Sequence, residues 1–354
     1  MRRVLVVDDS AFMRRVLRDL IDAVPGFVTC GAVRDAEAAR AAILEQEPDL
    51  VTLDVELPGV DGLAVLEWIM REAPRPVVMV SGAATTLGVD TVLRALELGA
   101  VEFVRKPSGP ISLDLATVAE ALARALQGAA ASRVSARSSA SVLSRTARTS
   151  PGTAPRETVV AIAASTGGPA ALSTVLAALP ATLEAAVVIV QHMPVGFTRP
   201  FADRLARVAP LPVREAGEHE RVVPGTVWLA PAGWHLAVER AADGALTARR
   251  SDAPPRVGVR PSADVLFESV ASAVGAGAIG VVLTGMGEDG AAGLRAIHHV
   301  GGQCLAQDAA SAVVDGMPAA ARRTVPCDAV VTLEEMAHAI VTAVHRARGA
   351  RYAA

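Results

Sequence analysis

Three segments in the second half of the sequence carry side chains that nucleophilic catalysis requires, and the first holds a serine. Ser165 follows the apolar run VVAIAA and precedes two glycines and a proline. Ala163, Ser165 and Gly167 match the G-x-S-x-G pattern except at its first position. Small residues permit the tight strand-to-helix turn that exposes a serine, and N–H groups at the helix start can bind an oxyanion. A helix cap or a phosphate-binding turn would use the same residues.

The other two segments supply a base and an acid. His192 follows the run VVIVQ, and a neutral imidazole is the base that activates a hydrolytic serine. His235, after another strand-end loop, is an alternative base. Glu288 and Asp289 follow VVLTGMG, and a carboxylate there can orient the histidine and stabilise its imidazolium. Each residue alone also fits a structural role, so the hydrolase prediction depends on Ser165 and these two segments occurring together.

A different set of polar residues follows the apolar runs of the first half. Asp8 and Asp9 come after VLVV, Asp54 and Ser81 end two further runs, and Lys106 comes after VEFV. Clustered carboxylates repel one another, and Mg²⁺, which prefers carboxylate, water and phosphate oxygens, removes that repulsion. Asp54 can then attack a phosphoryl donor, with Lys106 and Ser81 contacting the phosphoryl oxygens. Lys106 is the single lysine of an arginine-rich chain, and an arginine fork is a poor substitute for its compact charge.

These residues require elements that bring the ends of several strands together. Short apolar runs alternate with stretches of helical spacing in both halves, as in doubly wound α/β domains with parallel sheets. In such sheets the carboxyl ends of the strands share one edge. The sequence therefore predicts a flavodoxin-like phosphoacceptor domain over residues 1–126 and a Rossmann-like serine hydrolase domain over residues 158–347.

Composition accounts for the segment between the two domains and excludes several classes of function. Residues 127–157 are predicted to form a flexible linker, since the stretch is Ser/Ala/Thr-rich and nearly devoid of bulky side chains; its arginines alternatively suit a binding partner. The net charge of −3 argues against nucleic-acid binding, and the chain lacks an apolar run suited to membrane insertion. Three scattered cysteines indicate neither zinc nor disulfides, so we expect a cytoplasmic protein.

Four segments of the first half, VLVVDDSAFMR, LDVELPGVDG, VVMVSG and EFVRKP, resemble response-regulator receiver domains. The resemblance implies that a histidine kinase of the chemotaxis type phosphorylates Asp54. It implies that Mg²⁺ is bound by a set of oxygen ligands: Asp8, Asp9, Asp54 and the backbone carbonyl of Glu56. It also implies a phosphorylation switch formed by Ser81, Phe103 and Lys106. Phe103 stands where related domains often have tyrosine.

The second half resembles the catalytic domain of the chemotaxis protein-glutamate methylesterase family in the segments already described and in LAPAGWHL, VRPSADVLFESV and AQDAASAVVDGMPAAA. The resemblance implies that Ser165 is the nucleophile, His192 the base and Asp289 the orienting acid. Thr166 and the backbone of Met286 would contact the oxyanion or substrate.

The same resemblance implies a phosphorylation-activated enzyme that demethylates glutamate methyl esters, and deamidates glutamines, on methyl-accepting chemotaxis receptors during adaptation. The hydrolase itself would need no cofactor, and the receiver would cover the active site before phosphorylation. The sequence alone leaves two alternatives open. One is a non-enzymatic response regulator whose second domain only binds a partner, and the other is a hydrolase that acts on a small metabolite.

Overall fold

The computed structural model describes residues 1–82, 86–106, 113–132 and 157–349. These residues form two compact units, and the division between the units falls within the undescribed segment 133–156. Most of the predicted linker, residues 127–157, therefore lies outside the described residues. Among the described residues, no helix is both long and apolar enough to cross a bilayer.

The first unit is a five-stranded sheet with order β2-β1-β3-β4-β5, in which every neighbouring pair is parallel. This is the flavodoxin-like order, which places ligands at the carboxyl ends of the strands. Its elements are β1 (Arg2–Val7), α1 (Ala11–Asp22), β2 (Phe27–Val33), α2 (Ala36–Gln46), β3 (Leu50–Asp54), α3 (Gly62–Glu72), β4 (Val77–Ser81), α4 (Thr86–Leu98), β5 (Glu102–Arg105) and α5 (Leu113–Ala131).

The second unit has a seven-stranded parallel sheet with order β14-β13-β12-β6-β7-β9-β8 and a separate antiparallel pair, β10–β11. Its elements are β6 (Val159–Ala164), α6 (Gly168–Ala178), β7 (Ala186–Gln191), α7 (Thr198–Val208), β8 (Val213–Glu215), β9 (Val227–Leu229), β10 (His235–Arg240), β11 (Leu246–Ser251), α8 (Ala263–Val274), a 3₁₀ turn (Gly275–Gly277), β12 (Ala278–Val282), α9 (Ala291–His299), β13 (Gln303–Gln307), α10 (Gly316–Thr324), β14 (Ala329–Val331) and α11 (Leu333–Ala347).

Strand β6 occupies the centre of the second sheet and explains where a site can form. Every residue of β6 is buried, as are those of its neighbours β7 and β12, because helices cover both faces of the sheet and the strands can be continuously apolar. The chain passes from β6 to β7 on one side and reaches β12 on the other side only later. A strand-order reversal of this kind opens a crevice at the carboxyl ends, where doubly wound sheets bind ligands.

Local signals set the helix boundaries. Ser10 caps α1, accepting a hydrogen bond from the Met13 N–H. Thr332 and Glu335 form a capping box at the start of α11. At α6 the cap is Gly167, whose φ of 75° is a left-handed conformation that favours glycine. The turn after β6 therefore depends on glycine at this position.

The prediction of two parallel α/β domains is confirmed, while several details differ from the sequence-based expectation. The alternation of apolar runs in the sequence did not predict the short strands β8 and β14, nor the antiparallel pair β10–β11. Helix α5 continues to Ala131, so residues 127–131, predicted as the start of the linker, are helical. The reason is that this alanine-rich stretch continues the buried helix face, where Ala129 is fully buried.

Candidate functional site

Ser165 lies directly beyond the carboxyl end of β6, where the backbone is held from two sides. Its N–H donates to the Thr284 carbonyl beyond β12, and its carbonyl accepts from Gly168 N–H at the start of α6. The neighbouring Gly285 must lack a side chain, because a Cβ there would lie 2.8 Å from Ser165 Cβ. Ser165 is half-buried, so its hydroxyl lies at the edge of the sheet rather than in the core.

His192 occupies the equivalent position beyond β7. Ala164 and Gln191 are paired in register, and His192 N–H donates to the Ala164 carbonyl at 3.1 Å. Ser165 and His192 are therefore the first residues beyond the ends of adjacent parallel strands. Within the described part of the chain no direct hydrogen bond joins Ser165 Oγ to His192, and such bonds often tighten only when substrate binds.

Asp289 completes the group from the loop between β12 and α9. Its Oδ2 lies 2.9 Å from His192 Nε2, and its side chain is 4% exposed. Burial by itself would raise the pKa of Asp289, but His192, Ala263 N–H and Ser262 together lower it. An ionised carboxylate only accepts hydrogen bonds, so Nε2 of His192 carries the proton. In the neutral imidazole, Nδ1 is then the basic nitrogen.

The start of α8 holds the carboxylate of Asp289 in place. Ser262 Oγ donates to Oδ1 at 2.7 Å, Ala263 N–H to Oδ2 at 2.6 Å and Asp264 N–H to Oδ1 at 3.1 Å. In return, Asp264 Oδ1 accepts from the Gly290 and Gly293 N–H groups at the start of α9. Each helix N-terminus thus binds a carboxylate from the other segment, where N–H groups and the helix dipole favour negative charge. The exchange fixes the acid independently of the histidine.

The two alternative residues raised by the sequence lie in other environments. His235 is 1% exposed and begins β10. Its Nδ1 accepts from Ser262 N–H, and its Nε2 contacts the Pro254 carbonyl. Both ring nitrogens are used in structural bonds, so His235 is not a free base. Glu288 is exposed, whereas the neighbouring Asp289 is buried against His192.

Thr166 follows Ser165 in the chain, and Met286 follows Gly285, which packs against Ser165. Thr166 is buried, and its carbonyl accepts from Thr284 Oγ1 at 2.9 Å. Met286 follows Gly285, whose N–H donates to the Val314 carbonyl. The structure therefore brings Thr166 next to the serine along the chain and places Met286 in the loop that packs against Ser165.

Ser262→Ala is expected to lower the free energy of unfolding by about 1–2 kcal/mol at pH 7, because a buried carboxylate loses a donor. Since the folded-state pKa of Asp289 is below its ordinary value, the wild-type advantage exists above the unfolded pKa and disappears as pH falls through the folded pKa. Urea unfolding at pH 7 and at pH 3 measures this difference. An equal loss at both pH values would show that the hydroxyl does not act through the Asp289 charge.

A second cluster lies at the carboxyl ends of the strands in the first unit. Asp8, Asp9 and Asp54 each offer a carboxylate oxygen, and these atoms lie within 4.8 Å of one another. Asp8 and Asp54 are buried, whereas Asp9 is exposed. Lys106 Nζ lies 2.5 Å from Asp54 Oδ2 and 2.8 Å from Asp8 Oδ2. Asp8 Oδ2 has no partner with hydrogen-bond geometry, and a hard cation with oxygen ligands fits such a group.

The charges of this cluster are strongly coupled. Burial raises the pKa of Asp54 to about 6, in opposition to Lys106 and with help from the charge of Asp8. Burial also acts to lower the pKa of Lys106, but its close contacts with the carboxylates of Asp54 and Asp8 outweigh burial and raise that pKa. A divalent cation would favour the charged form of Asp54, the form needed for nucleophilic attack.

The remaining receiver residues lie around this cluster. Ser81 ends β4 and is buried, and its carbonyl accepts from Lys106 N–H at 2.8 Å. Phe103, also buried, pairs with Met79, two residues before Ser81 on β4. Alternate residues of a strand share a face, so Ser81 and Phe103 lie diagonally on one face of the sheet. The side chain of Glu56 is exposed, and its N–H donates to Asp54 Oδ1.

Comparison with known proteins gives a consistent result for both units. The family model for CheB methylesterase matches residues 160–340, and the model for the response regulator receiver domain matches residues 4–118. The protein-glutamate methylesterase/protein-glutamine glutaminase of Geobacillus kaustophilus is 46% identical over 96% of this chain and 97% of its own length. The chain belongs to the CheB methylesterase family.

Other members of the CheB family support the same assignment. Protein-glutamate methylesterase/protein-glutamine glutaminase 1 of Xanthomonas campestris pv. campestris is 43% identical, and the match covers 98% of each chain. The crystal structure of the Thermotoga maritima CheB methylesterase catalytic domain superposes with a TM-score of 0.51 at 34% identity, covering 52% of this chain and 98% of that one. The prediction of a receiver domain joined to a methylesterase domain is thereby confirmed.

Several residues that support the candidate site were not among those predicted from the sequence. The Ser262 hydroxyl donates a hydrogen bond to Asp289, and the Thr284 hydroxyl contacts the carbonyls of Thr166 and Val314. The Gln191 amide donates to the backbone carbonyls of Ser165 and His192. Gln191 could have been singled out from the sequence, because a glutamine at the end of a run of buried apolar residues needs hydrogen-bond partners. Ser262 and Thr284 could not have been singled out in this way, since their hydrogen-bond partners lie far away in sequence.

Proposed function

We propose that this CheB-family chain is a phosphorylation-activated protein-glutamate methylesterase and protein-glutamine glutaminase that acts on methyl-accepting chemotaxis receptors. The observation that carries the proposal is the convergence of Ser165, His192 and Asp289 beyond three adjacent strands, with His192 bonded to a buried, ionised Asp289. A module that only bound a partner would not need a serine, an imidazole and an oriented acid at one edge.

The catalytic cycle follows from these groups. His192 Nδ1 removes the proton of Ser165 Oγ, which attacks the side-chain carbonyl carbon of a glutamate methyl ester. Asp289 stabilises the imidazolium through Nε2. The imidazolium then protonates the departing methoxide, and methanol leaves. Water, deprotonated by the same histidine, attacks the acyl-serine, and the imidazolium returns the proton to Ser165 Oγ as glutamate is released. With glutamine the leaving group is ammonia.

The oxyanion formed during attack needs donors that are already in place. The N–H groups of Thr166 and Met286 lie in the two loops that contact Ser165, and we assign them this role. Both loops are closely packed at a glycine: a Cβ on Gly167 would lie 2.7 Å from Val313 Cβ, and a Cβ on Gly285 would lie 2.8 Å from Ser165 Cβ. Donors fixed before reaction stabilise the transition state without a reorganisation cost.

The receiver domain supplies control. Asp54 attacks the phosphoryl group of a phosphohistidine on a chemotaxis-type histidine kinase, forming an acyl phosphate and freeing the histidine. Asp8, Asp9, Asp54 and the Glu56 carbonyl would hold Mg²⁺. When bound, Mg²⁺ neutralises charge on the aspartates and the phosphoryl oxygens. Lys106 contacts a phosphoryl oxygen in place of Asp54, and Ser81, with Phe103, responds to the new charge. This charge change raises the activity of the catalytic domain.

The receptor specificity of this proposal is tested with two substrates. The full chain is assayed for methanol release from methylated receptor cytoplasmic fragments and from a small free methyl ester of glutamate. We expect kcat/KM for the receptor to exceed that for the small ester by at least about 100-fold, since remote contacts contribute binding energy to turnover. Equal values would favour a small-metabolite hydrolase.

A further inference from the structure

The side chain of Gln191 links the backbones of the nucleophile and the base. Gln191 is the last residue of β7 and is 2% exposed. Its Nε2 donates to the Ser165 carbonyl at 2.9 Å and to the His192 carbonyl at 3.0 Å. One amide group therefore ties together the two residues that the proposed cycle requires to exchange a proton.

The orientation of this amide is fixed by its partners. Both partners are carbonyl oxygens, which only accept hydrogen bonds, so the NH₂ end must face them. The other end, Oε1, is buried without a hydrogen-bond partner. Gly168 makes room for it, because a Cβ on Gly168 would lie 2.0 Å from Oε1. An unpartnered buried oxygen is unfavourable for stability, which indicates that this glutamine contributes through its two donors.

The first of these bonds determines where the next N–H group points. A trans peptide is planar, with its C=O and N–H directed oppositely. The Ser165 carbonyl is held by two donors, Gln191 Nε2 at 2.9 Å and Gly168 N–H at 2.7 Å. The same peptide carries the Thr166 N–H, which must therefore point away from the Gln191 amide. Fixing the carbonyl fixes the direction of the N–H.

We infer that Gln191 is a positioning residue that aims the Thr166 N–H at the oxyanion and sets the separation of Ser165 and His192. The inference rests on the proposed function, because it assumes that Ser165 is the nucleophile. Gln191 touches no reacting atom. It acts through the peptide between Ser165 and Thr166 and through the His192 carbonyl.

The test uses the full chain and a fluorophosphonate probe, which forms a Ser Oγ–phosphorus bond and releases fluoride. This reaction needs a nucleophile, a base and an oxyanion site but not the natural substrate. The variants are Gln191→Met, which keeps the length but has no donor, and Gln191→Glu, which keeps the shape but places oxygens against the two carbonyls. The control is Gln303→Met. Gln303 is the first residue of β13, at the amino end of the strand, and the substitution removes the hydrogen bond from its Nε2 to the Ala343 carbonyl.

We expect the maximal rate of labelling at Ser165 to fall by about 10- to 100-fold in Gln191→Met and further in Gln191→Glu, since removing one oxyanion donor typically costs 100-fold or more. The concentration of probe giving half-maximal rate should change little. The midpoint of the pH profile should also be retained, because His192 and Asp289 still form their pair. Gln303→Met should label at the wild-type rate.

Three results would overturn the inference. The first is labelling of both folded Gln191 variants at the rate of Gln303→Met. The second is a reduced rate that urea unfolding traces entirely to an unfolded fraction. The third is a wild-type chain that is not labelled at Ser165, which would remove the proposed function as well. The first result, with wild type labelled at Ser165, would reject the positioning role and leave the proposed function standing.

Discussion

Ser165→Ala is expected to reduce methanol release from methylated receptor by about 10⁴-fold or more, to near the background rate. Loss of the nucleophile removes the covalent route, and in serine hydrolases it abolishes nearly all catalysis beyond that of the oxyanion site. Because Ser165 is half-buried at the sheet edge and its backbone N–H and carbonyl both make hydrogen bonds that alanine would keep, the fold should tolerate alanine. The melting temperature should therefore change by no more than a few degrees.

Ser173→Ala provides a matched control for this experiment. Ser173 is a half-buried serine on α6, the helix that follows the Ser165 turn, and its Oγ donates to the Pro169 carbonyl. Its loss should leave turnover within about two-fold of wild type, because an intrahelical back-bond contributes little. Substantial methanol release by folded Ser165→Ala would show that another group is the nucleophile.

Asp54→Asn is expected to abolish stimulation by a small phosphodonor such as acetyl phosphate while basal esterase activity persists. Asparagine keeps the shape of the side chain but lacks the carboxylate that forms the acyl phosphate. The ratio of rates with and without phosphodonor should fall to about one, with the basal rate unchanged within about two-fold. Steady-state methanol release with Mg²⁺ present measures both quantities.

Asp61→Asn is the appropriate control in the same domain. Asp61 is exposed and caps α3, accepting from Leu63 N–H, and asparagine caps helices equally well. The control should retain full stimulation. Stimulation of Asp54→Asn to the wild-type level would remove Asp54 as the phosphoacceptor, and loss of basal activity would place Asp54 in a different role.

The long, strongly patterned elements were predictable from sequence because burial on both faces of a parallel sheet requires continuous apolar runs. VLVV and VVIVQ are of this kind, and both form interior strands of their sheets. The three-residue strands β8 and β14 lie at the sheet edges, where so short a run is indistinguishable from a loop. The strands of the pair β10–β11, HLAVER and LTARRS, mix apolar with polar and charged residues without strict alternation, and only His235 and Leu236 fall within a motif named from the sequence. Its pairing depends on tertiary contacts.

Strand-end positions were the predictable part of the candidate site. Ser165, His192 and Asp289 were found because each follows an apolar run, and topology alone then brings them to one edge. Their support was not predictable, since Ser262 reaches the acid across 27 positions of sequence through a helix cap. Likewise, only family resemblance favoured Asp289 over Glu288 as the acid that orients the histidine. In the structure the two differ in burial, since Asp289 is buried and Glu288 is exposed.

The central claim is tested most directly by methanol release from a methylated chemotaxis receptor, measured for the full chain with and without phosphodonor and Mg²⁺. The account predicts release of methanol without phosphodonor, a clear increase when it is added, and conversion of receptor glutamyl methyl esters to glutamates seen by mass spectrometry. Folded protein that releases no methanol under either condition, although its receptor substrate is fully methylated, would contradict the account.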